Sequence, residues 1–257
     1  MIIYKTQKEI ELMAESGKIL ARVLNEIVQN VKPGVNTQDL EDLTGKLIAD
    51  KGGRPAFKNY KAYPGDKAFP TALCASINNE VVHAPAIPGR ILREGDIIGL
   101  DLGVEYKGYF SDMAVTIGVG KISAEAQKLL NITKEVLGLG IEQFKEGNTL
   151  ADIGRAIQFH AEKNGLSVVR ELVGHGVGKQ VHEDPRVPNY LTEEAKFIPI
   201  KRGMTIAIEP MINAGAWEIK LLDDGWTFAT ADGSLSAQFE HTVALDHNGK
   251  KRILTKI

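Results

Sequence analysis

The sequence predicts an α/β (α+β) chain in which helices back a mostly antiparallel sheet, built from two similar halves at roughly 1–120 and 121–257. Each half opens with two amphipathic helix patterns and continues into short apolar, strand-like runs. The landmarks also recur at one interval: Val23-Leu24 matches Val136-Leu137, Gly34 matches Gly147 (147 − 34 = 113) and Gly52 matches Gly165 (165 − 52 = 113). The register then drifts by a few residues, but Gly95 to Asp101 and Gly203 to Glu209 are both six steps. Such a duplication lays two halves about a pseudo-twofold axis, with one sheet formed across it and the two acids converging near the middle.

In chain order, Thr6 with Glu9 three residues later is a capping-box pattern. Ile10, Met13, Gly17, Leu20, Leu24, Ile27 and Val28 follow at helical spacing, and Pro33-Gly34 ends that helix. A second helix starts near Asn36 or Thr37, turns Leu40, Leu43, Leu47 and Ile48 inward and stops at Gly52-Gly53. The stretch 54–70, rich in Pro, Gly and aromatic residues, reads as a long loop. Strands are expected over Leu73 to Asn78 and Glu80 to His83, then in a run ending at Asp101, with a hairpin arm from Tyr106 to Ile117 returning past Asp112. The second half repeats this order. Its central run, Met204-Thr205-Ile206-Ala207-Ile208, suits a buried strand, sets Glu209 at its end and is halted by Pro210.

Composition narrows the function classes. At 257 residues and 43% hydrophobic content, the chain has enough apolar material for one large domain around a substantial core. A formal net charge of −2 gives no electrostatic case for a nucleic acid or an anionic membrane as partner. Cys74 is the one cysteine, so no intramolecular disulfide forms and a reducing cytoplasm is the expected location. The first 18 residues lack the apolar core of a signal peptide, and nowhere do about 18 apolar residues run uninterrupted.

The chemistry lies in charged groups set into apolar runs. Asp101 interrupts Ile97 to Leu102, Asp112 precedes Met113 to Ile117, Glu209 follows Ile206 to Ile208, and Glu240 lies between Phe239 and Thr242 to Leu245. An ionised carboxylate in such a place is costly unless a positive group meets it. His175, within Gly174-His175-Gly176-Val177-Gly178, adds an imidazole in a segment whose bare backbone allows close approach. Four carboxylates and one imidazole form a hard, oxygen-rich donor set suited to divalent manganese, iron, cobalt or zinc. Four negative charges offset two divalent cations, whereas one cation leaves two charges uncompensated, so a two-metal centre is expected.

The ordered set Asp101, Asp112, His175, Glu209 and Glu240, with Gly174-His175-Gly176-Val177-Gly178, Ile208-Glu209-Pro210-Met211 and Phe239-Glu240-His241-Thr242, resembles the type I methionine aminopeptidases of peptidase family M24 and the pita-bread fold. The likeness covers essentially the whole chain and implies a single catalytic domain over 1–257. It implies that Asp101 chelates one metal, that Asp112 and Glu240 bridge both, and that His175 and Glu209 complete the other. It further implies that Glu209 shuttles the proton, that His182 contacts the scissile amide and stabilises the tetrahedral intermediate, and that His83 touches the peptide backbone just beyond the cleaved bond. Cys74 and Trp226 fall where the family lines its methionine pocket, a soft thiol and an aromatic wall suited to a thioether. Phe69, followed by Pro70, stands in for a family tyrosine, with Tyr63 of the second Tyr63-Pro64 pair as the alternative wall. The chain departs from the family pattern at Val181, where a bulky aromatic is expected and a smaller residue should widen the rim, and at Met113, where a hydroxyl residue is common.

The activity implied is removal of N-terminal methionine from nascent proteins and peptides, favouring a small second residue, by a monomer in the cytoplasm with transient ribosome contact and no membrane. Two alternatives stay open. One is another pita-bread peptidase, specific for Xaa-Pro bonds, though those enzymes carry an added N-terminal domain and here the helical motif starts by Thr6. The other is a non-catalytic peptide-binding relative, though such relatives lose ligands and this chain keeps five.

Overall fold

The capping box at Thr6 forms as the sequence predicts: the hydroxyl accepts from Glu9 N–H at 3.3 Å and the Glu9 carboxylate accepts from Thr6 N–H at 2.8 Å. Helix α1 then runs Gln7–Asn30 and buries Ile10, Met13, Leu20, Leu24 and Ile27 on one face. Gly17 has a specific purpose in that face, because a Cβ there would lie 2.3 Å from the Leu254 carbonyl oxygen. Helix α2, Thr37–Asp50, is capped by Asn36 Oδ1, which accepts from Gln38 N–H at 2.9 Å. This computed structural model describes residues 1–61, 65 and 67–256.

The remaining elements, in chain order, are β1 (Arg54–Pro55), β2 (Leu73–Ile77), β3 (Glu80–Val82), β4 (Ile97–Tyr106), β5 (Tyr109–Gly118), α3 (Ala124–Gln143), α4 (Leu150–Lys163), β6 (Ser167–Val168), β7 (Gly174–Gly176), β8 (Glu183–Val187), a 3₁₀ turn (Glu194–Phe197), β9 (Thr205–Ile208), β10 (Met211–Asn213), β11 (Ile219–Leu221), β12 (Phe228–Thr230), β13 (Ser236–Gln238), β14 (His241–Leu245) and β15 (Lys251–Ile253). The duplication holds at the level of backbone. Helices α2 and α4 are 113 residues apart at both ends (150 − 37 = 113; 163 − 50 = 113). Their capping residues, Asn36 and Thr149, each make an isolated antiparallel bridge, to Ile91 and Pro199. The paired glycines take nearly the same left-handed φ: 90° and 88° at Gly34 and Gly147, 74° and 75° at Gly52 and Gly165, 92° and 84° at Gly95 and Gly203. Only a residue without Cβ adopts these angles freely, which is why glycine marks the repeat.

Two strand limits differ from the sequence reading. The strand expected to end at Asp101 continues to Tyr106, because the reversal is the two-residue turn Lys107-Gly108 (φ 52° and 82°), a hairpin geometry that matches strand twist. Arg54–Pro55, inside the expected loop, pairs with Glu105 and Val104 of β4. The central run ends at Ile208 as expected, with Glu209 just beyond β9.

All strand pairings are antiparallel, but they form four sheets among the described residues, not the one expected. The first is β1-β4-β2 with β5 also on β4, and the largest of the others is β15-β14-β9-β7-β8. Where these two meet, β5 faces the chain from Gln238 to Thr242. One direct backbone bond joins them, Glu240 N–H to Ala114 O at 2.9 Å. On either side of it a threonine hydroxyl is inserted. Thr242 Oγ1 donates to Asp112 O at 2.8 Å and accepts from Asp112 N–H at 2.9 Å. Thr116 Oγ1 donates to Gln238 O at 2.8 Å and accepts from Gln238 N–H at 2.9 Å. The two threonines are symmetry mates of a splayed seam, and the inserted hydroxyls explain why the sheet does not run across it as a regular ladder. Thr242→Val would orphan a buried N–H and a buried C=O of Asp112, at about 1–3 kcal/mol per group. We expect a loss of that size in urea or guanidinium unfolding.

Two cores flank the seam. Helices α1 and α2 pack on β2 and β4 through Leu20, Leu24, Leu40, Leu73 and Leu100, and α3 and α4 pack on the second half through Leu129, Phe144, Ile153, Ile206 and Val243.

Candidate metal centre

Register brings the acids together in pairs. On the β4–β5 hairpin Asp112 lies opposite Gly103, two residues from Asp101, so the two carboxylates share a face on the diagonal. Across the seam His241 pairs with Ile208, which puts Glu240 and Glu209 side by side at one end of β9 and β14. His175 enters from β7, next to β9. All five predicted ligands therefore converge, Asp101, Asp112 and Glu240 being 7%, 3% and 2% exposed.

One oxygen of each of these three carboxylates, Asp101 Oδ1, Asp112 Oδ1 and Glu240 Oε1, is buried without any hydrogen-bond partner. A buried acceptor left unpaired is rare and costly. Burial pushes Asp101 up to about 7, and burial followed by mutual repulsion pushes Asp112, Glu209 and Glu240 well above the usual carboxylate range. Burial likewise depresses His175 to about 3, so its imidazole is neutral. Its Nδ1 donates to the Gly176 carbonyl at 2.9 Å, leaving the Nε2 lone pair free to bind a cation. That Nε2 lies 3.5 Å from Glu209 Oε1 and 3.8 Å from Asp112 Oδ2. This is too far for hydrogen bonds, but close to the spacing of about 3–3.6 Å between two donors of one ion bound at about 2.0–2.2 Å.

Donor atoms within 4.8 Å of one another fall into three groups: Asp101, Asp112 and Glu240; His175, Glu209 and Glu240; and Asp112, His175 and His182. Glu240 belongs to the first two, Asp112 to the first and third and His175 to the second and third, so neighbouring ion positions would share donors. Orphaned oxygens, mutually repelling carboxylates and a neutral imidazole make a set that fits two divalent cations.

These groups form one wall of a cavity of about 730 Å³, which every predicted site residue lines: His83, His182, Cys74, Phe69 and Trp226 as well as the five ligands. Cys74 sits opposite Asp101 in the β2–β4 register and is buried. Burial first, and Asp101 next, push its thiol up, so it is a neutral, soft surface. Phe69 lines the cavity and packs edge to face on Trp226 with centroids 5.3 Å apart, while Tyr63, the alternative wall, lies outside the described residues. Val181 does not widen the rim. It is 2% exposed and absent from the cavity lining, clustering instead with the wall residues Phe57, Phe69 and Cys74, so the expectation drawn from its small size is corrected.

His83 follows β3 at φ 61°, a conformation unusual for a residue with a side chain, and its ring meets Phe228 edge on at 5.9 Å. His182 stands 4.3 Å from the His175 ring, centroid to centroid, and its Nδ1 shares a 2.8 Å hydrogen bond with Tyr60 Oη. Tyr60 and Phe57 are cavity residues that sequence reasoning missed, because the stretch they occupy carries no periodic signal. Gln238, whose Nε2 donates to Glu209 Oε2 at 3.3 Å, was also missed. Two-residue alternation from Glu240 could have found it.

The model of metallopeptidase family M24 matches residues 11–247. Methionine aminopeptidase of Clostridium perfringens is 47% identical over the full length of both chains, and methionine aminopeptidase 1 of Bacillus subtilis is 43% identical over the same extent. The crystal structure of methionine aminopeptidase from Thermotoga maritima superimposes with a TM-score of 0.93 at 40% identity, covering all of both chains. An Xaa-Pro dipeptidase from Bacillus anthracis shares the fold, with a TM-score of 0.77, at 21% identity over 99% of this chain and 62% of that one. Matched by the family model over most of its length and by these relatives from end to end, the chain has the pita-bread fold and belongs to metallopeptidase family M24.

Proposed function

We propose that this protein is a metal-dependent methionyl aminopeptidase that removes N-terminal methionine from peptides and nascent chains with a small second residue. One observation carries the reading: a two-cation donor set and an apolar pocket of Cys74, Phe69 and Trp226 share one cavity. Family membership and end-to-end likeness to methionine aminopeptidases support it further. Asp101, Asp112, His175, Glu209 and Glu240 would hold two divalent ions, of cobalt, manganese, iron(II) or zinc, which supply Lewis acidity and a water of depressed pKa.

The chain's own groups do the rest. The pocket takes the methionine side chain, apolar on all sides and soft at the sulfur. Glu209 accepts the proton of the attacking water and returns it to the leaving amine. His182, neutral because burial depresses its imidazole, donates from its ring to the oxygen of the scissile amide as negative charge grows there. His83 orients the peptide backbone beyond the cleaved bond. The cytoplasm, where nascent chains carry N-terminal methionine, is the working location in this reading.

Release of the first residue from Met-Ala, Met-Gly, Leu-Ala, Ala-Ala and Xaa-Pro peptides tests this. A pocket discriminates by about 1–3 kcal/mol per methylene-sized misfit, so methionine is expected to exceed alanine by orders of magnitude, with leucine the nearest competitor. Preference for Xaa-Pro over Met-Ala would reassign the protein to the proline-specific peptidases. No release from any peptide with metal present would make it a binding protein.

A further inference from the structure

Lys5 is among the largest fully buried side chains, at 1% exposure, although it carries an ammonium. Its backbone is fixed on both sides: its N–H donates to Gly203 O at 2.7 Å, and His247 Nε2 donates to its carbonyl at 2.8 Å. The ammonium donates to Ile3 O at 3.0 Å and pairs with Glu183. Glu183 is the residue after His182. Its other oxygen, Oε1, accepts from the backbone N–H groups of Lys179 at 2.6 Å and Gln180 at 3.1 Å, closing the turn between β7 and β8. The same turn is held by Gly178 N–H to Gln180 O at 3.0 Å and docked on the β4–β5 hairpin by Phe110 N–H to Gly178 O at 2.7 Å. Gly178 itself makes way for the lysine, since a Cβ there would lie 2.0 Å from Lys5 Cε. The last glycine of Gly174-His175-Gly176-Val177-Gly178 is therefore a passage for Lys5.

We infer that Lys5 is a positioning residue for His182: by pairing with Glu183 it fixes the turn that holds the imidazole in the cavity. A buried ion pair is no more stabilising than a well-packed apolar pair, whereas a buried carboxylate whose partner has been removed is strongly destabilising. The pairing therefore gives placement rather than net stability. Without Lys5 the uncompensated Glu183 leaves the protein interior and takes the adjoining His182 with it. Gly174 to Gly176, held by β8 and β9, keeps His175 where it is.

The inference rests on the proposed role of His182, and a kinetic cycle separates the two. Lys5→Met is expected to lower kcat between about ten- and a hundred-fold, the effect of a misplacement on the ångström scale. KM and metal content should stay near those of the parent, and hydrogen exchange at the Lys179 and Gln180 amides should accelerate. In a His182→Ala background Lys5→Met should lower kcat no further. Lys5→Met/Glu183→Gln, which removes both charges but keeps an acceptor for the two amides, should restore their protection and recover part of kcat. If Lys5→Met alone does not fold, this double variant carries the cycle in its place. Multiplicative effects of Lys5 and His182, a fall in kcat without faster exchange in the turn, or no recovery with Glu183→Gln would each overturn the inference. An unchanged kcat in His182→Ala alone would remove the reading of His182, and the inference with it.

Discussion

Asp112→Ala and Glu240→Ala are each expected to leave a folded protein that no longer retains a pair of divalent ions. Each carboxylate reaches donor atoms on two sides of the centre, so losing either removes a ligand from both positions at once. Loss of the Lewis acidity is worth several kcal/mol, on the order of 10³-fold in methionine release. Folding survives for an electrostatic reason. With no cation bound, burial and the neighbouring acids hold Asp112 and Glu240 protonated, so removing either carboxyl takes away a costly buried group. The sign of the pH dependence follows. A carboxyl whose pKa is raised in the folded state supports that state while it stays protonated, and the support is lost as pH rises. Metal-free parent protein should therefore lose stability from the ordinary carboxylate range up through about 7, where Asp101 ionises. Metal analysis of the purified variants, with denaturation of the metal-free proteins across that window, checks both statements. Two tightly held ions in both variants would sink the assignment of Asp112 and Glu240 as bridges.

The second large effect belongs to His182→Ala, with kcat reduced by about 2–4 kcal/mol, roughly 30- to 1000-fold, and metal content unchanged. The imidazole is anchored at Nδ1 by Tyr60 and stands beside His175 without replacing it. Its removal takes away a donor to the developing oxyanion and leaves the four carboxylates and His175 in place. Metal content measured beside single-turnover rates distinguishes this from damage to the centre. A parent-like rate in the alanine variant would return His182 to an ordinary cavity residue.

How much of this could be read without coordinates depended on whether a signal was local. The helices were legible because capping residues and left-handed glycines act within a few positions of themselves, as at Thr6, Gly34 and Gly147. The four candidate carboxylates stood out because a carboxylate inside an apolar run is expensive, which makes Asp101 and Glu240 conspicuous whatever surrounds them. The seam was not legible. Asp112 and Thr242 are 130 residues apart, and a threonine in a β-strand ordinarily signals nothing beyond β-propensity. Tyr60 was hidden for the same reason, since its hydrogen bond to His182 spans 122 residues. Val181 misled because a substitution in a motif was taken for a change at the cavity rim, when the residue is buried and supports the wall residues from outside the lining. Lys5 carries no signal in the sequence, and only the closed fold shows it buried.

The layout of the seam distributes tolerance to change unevenly over the molecule. At the seam itself, the two carboxylate pairs are joined by one backbone bond and two hydroxyl groups. Substitutions on the outer faces of α1 to α4, where Phe159 for example is 68% exposed, can accumulate or be engineered for solubility without reaching the catalytic geometry. At Thr116 and Thr242 even a change that preserves shape, such as valine, alters the spacing on which both ions depend. Variation in the chain should therefore be abundant in the helical layer and scarce at Thr116 and Thr242, a pattern that library selection for methionine release would reveal directly.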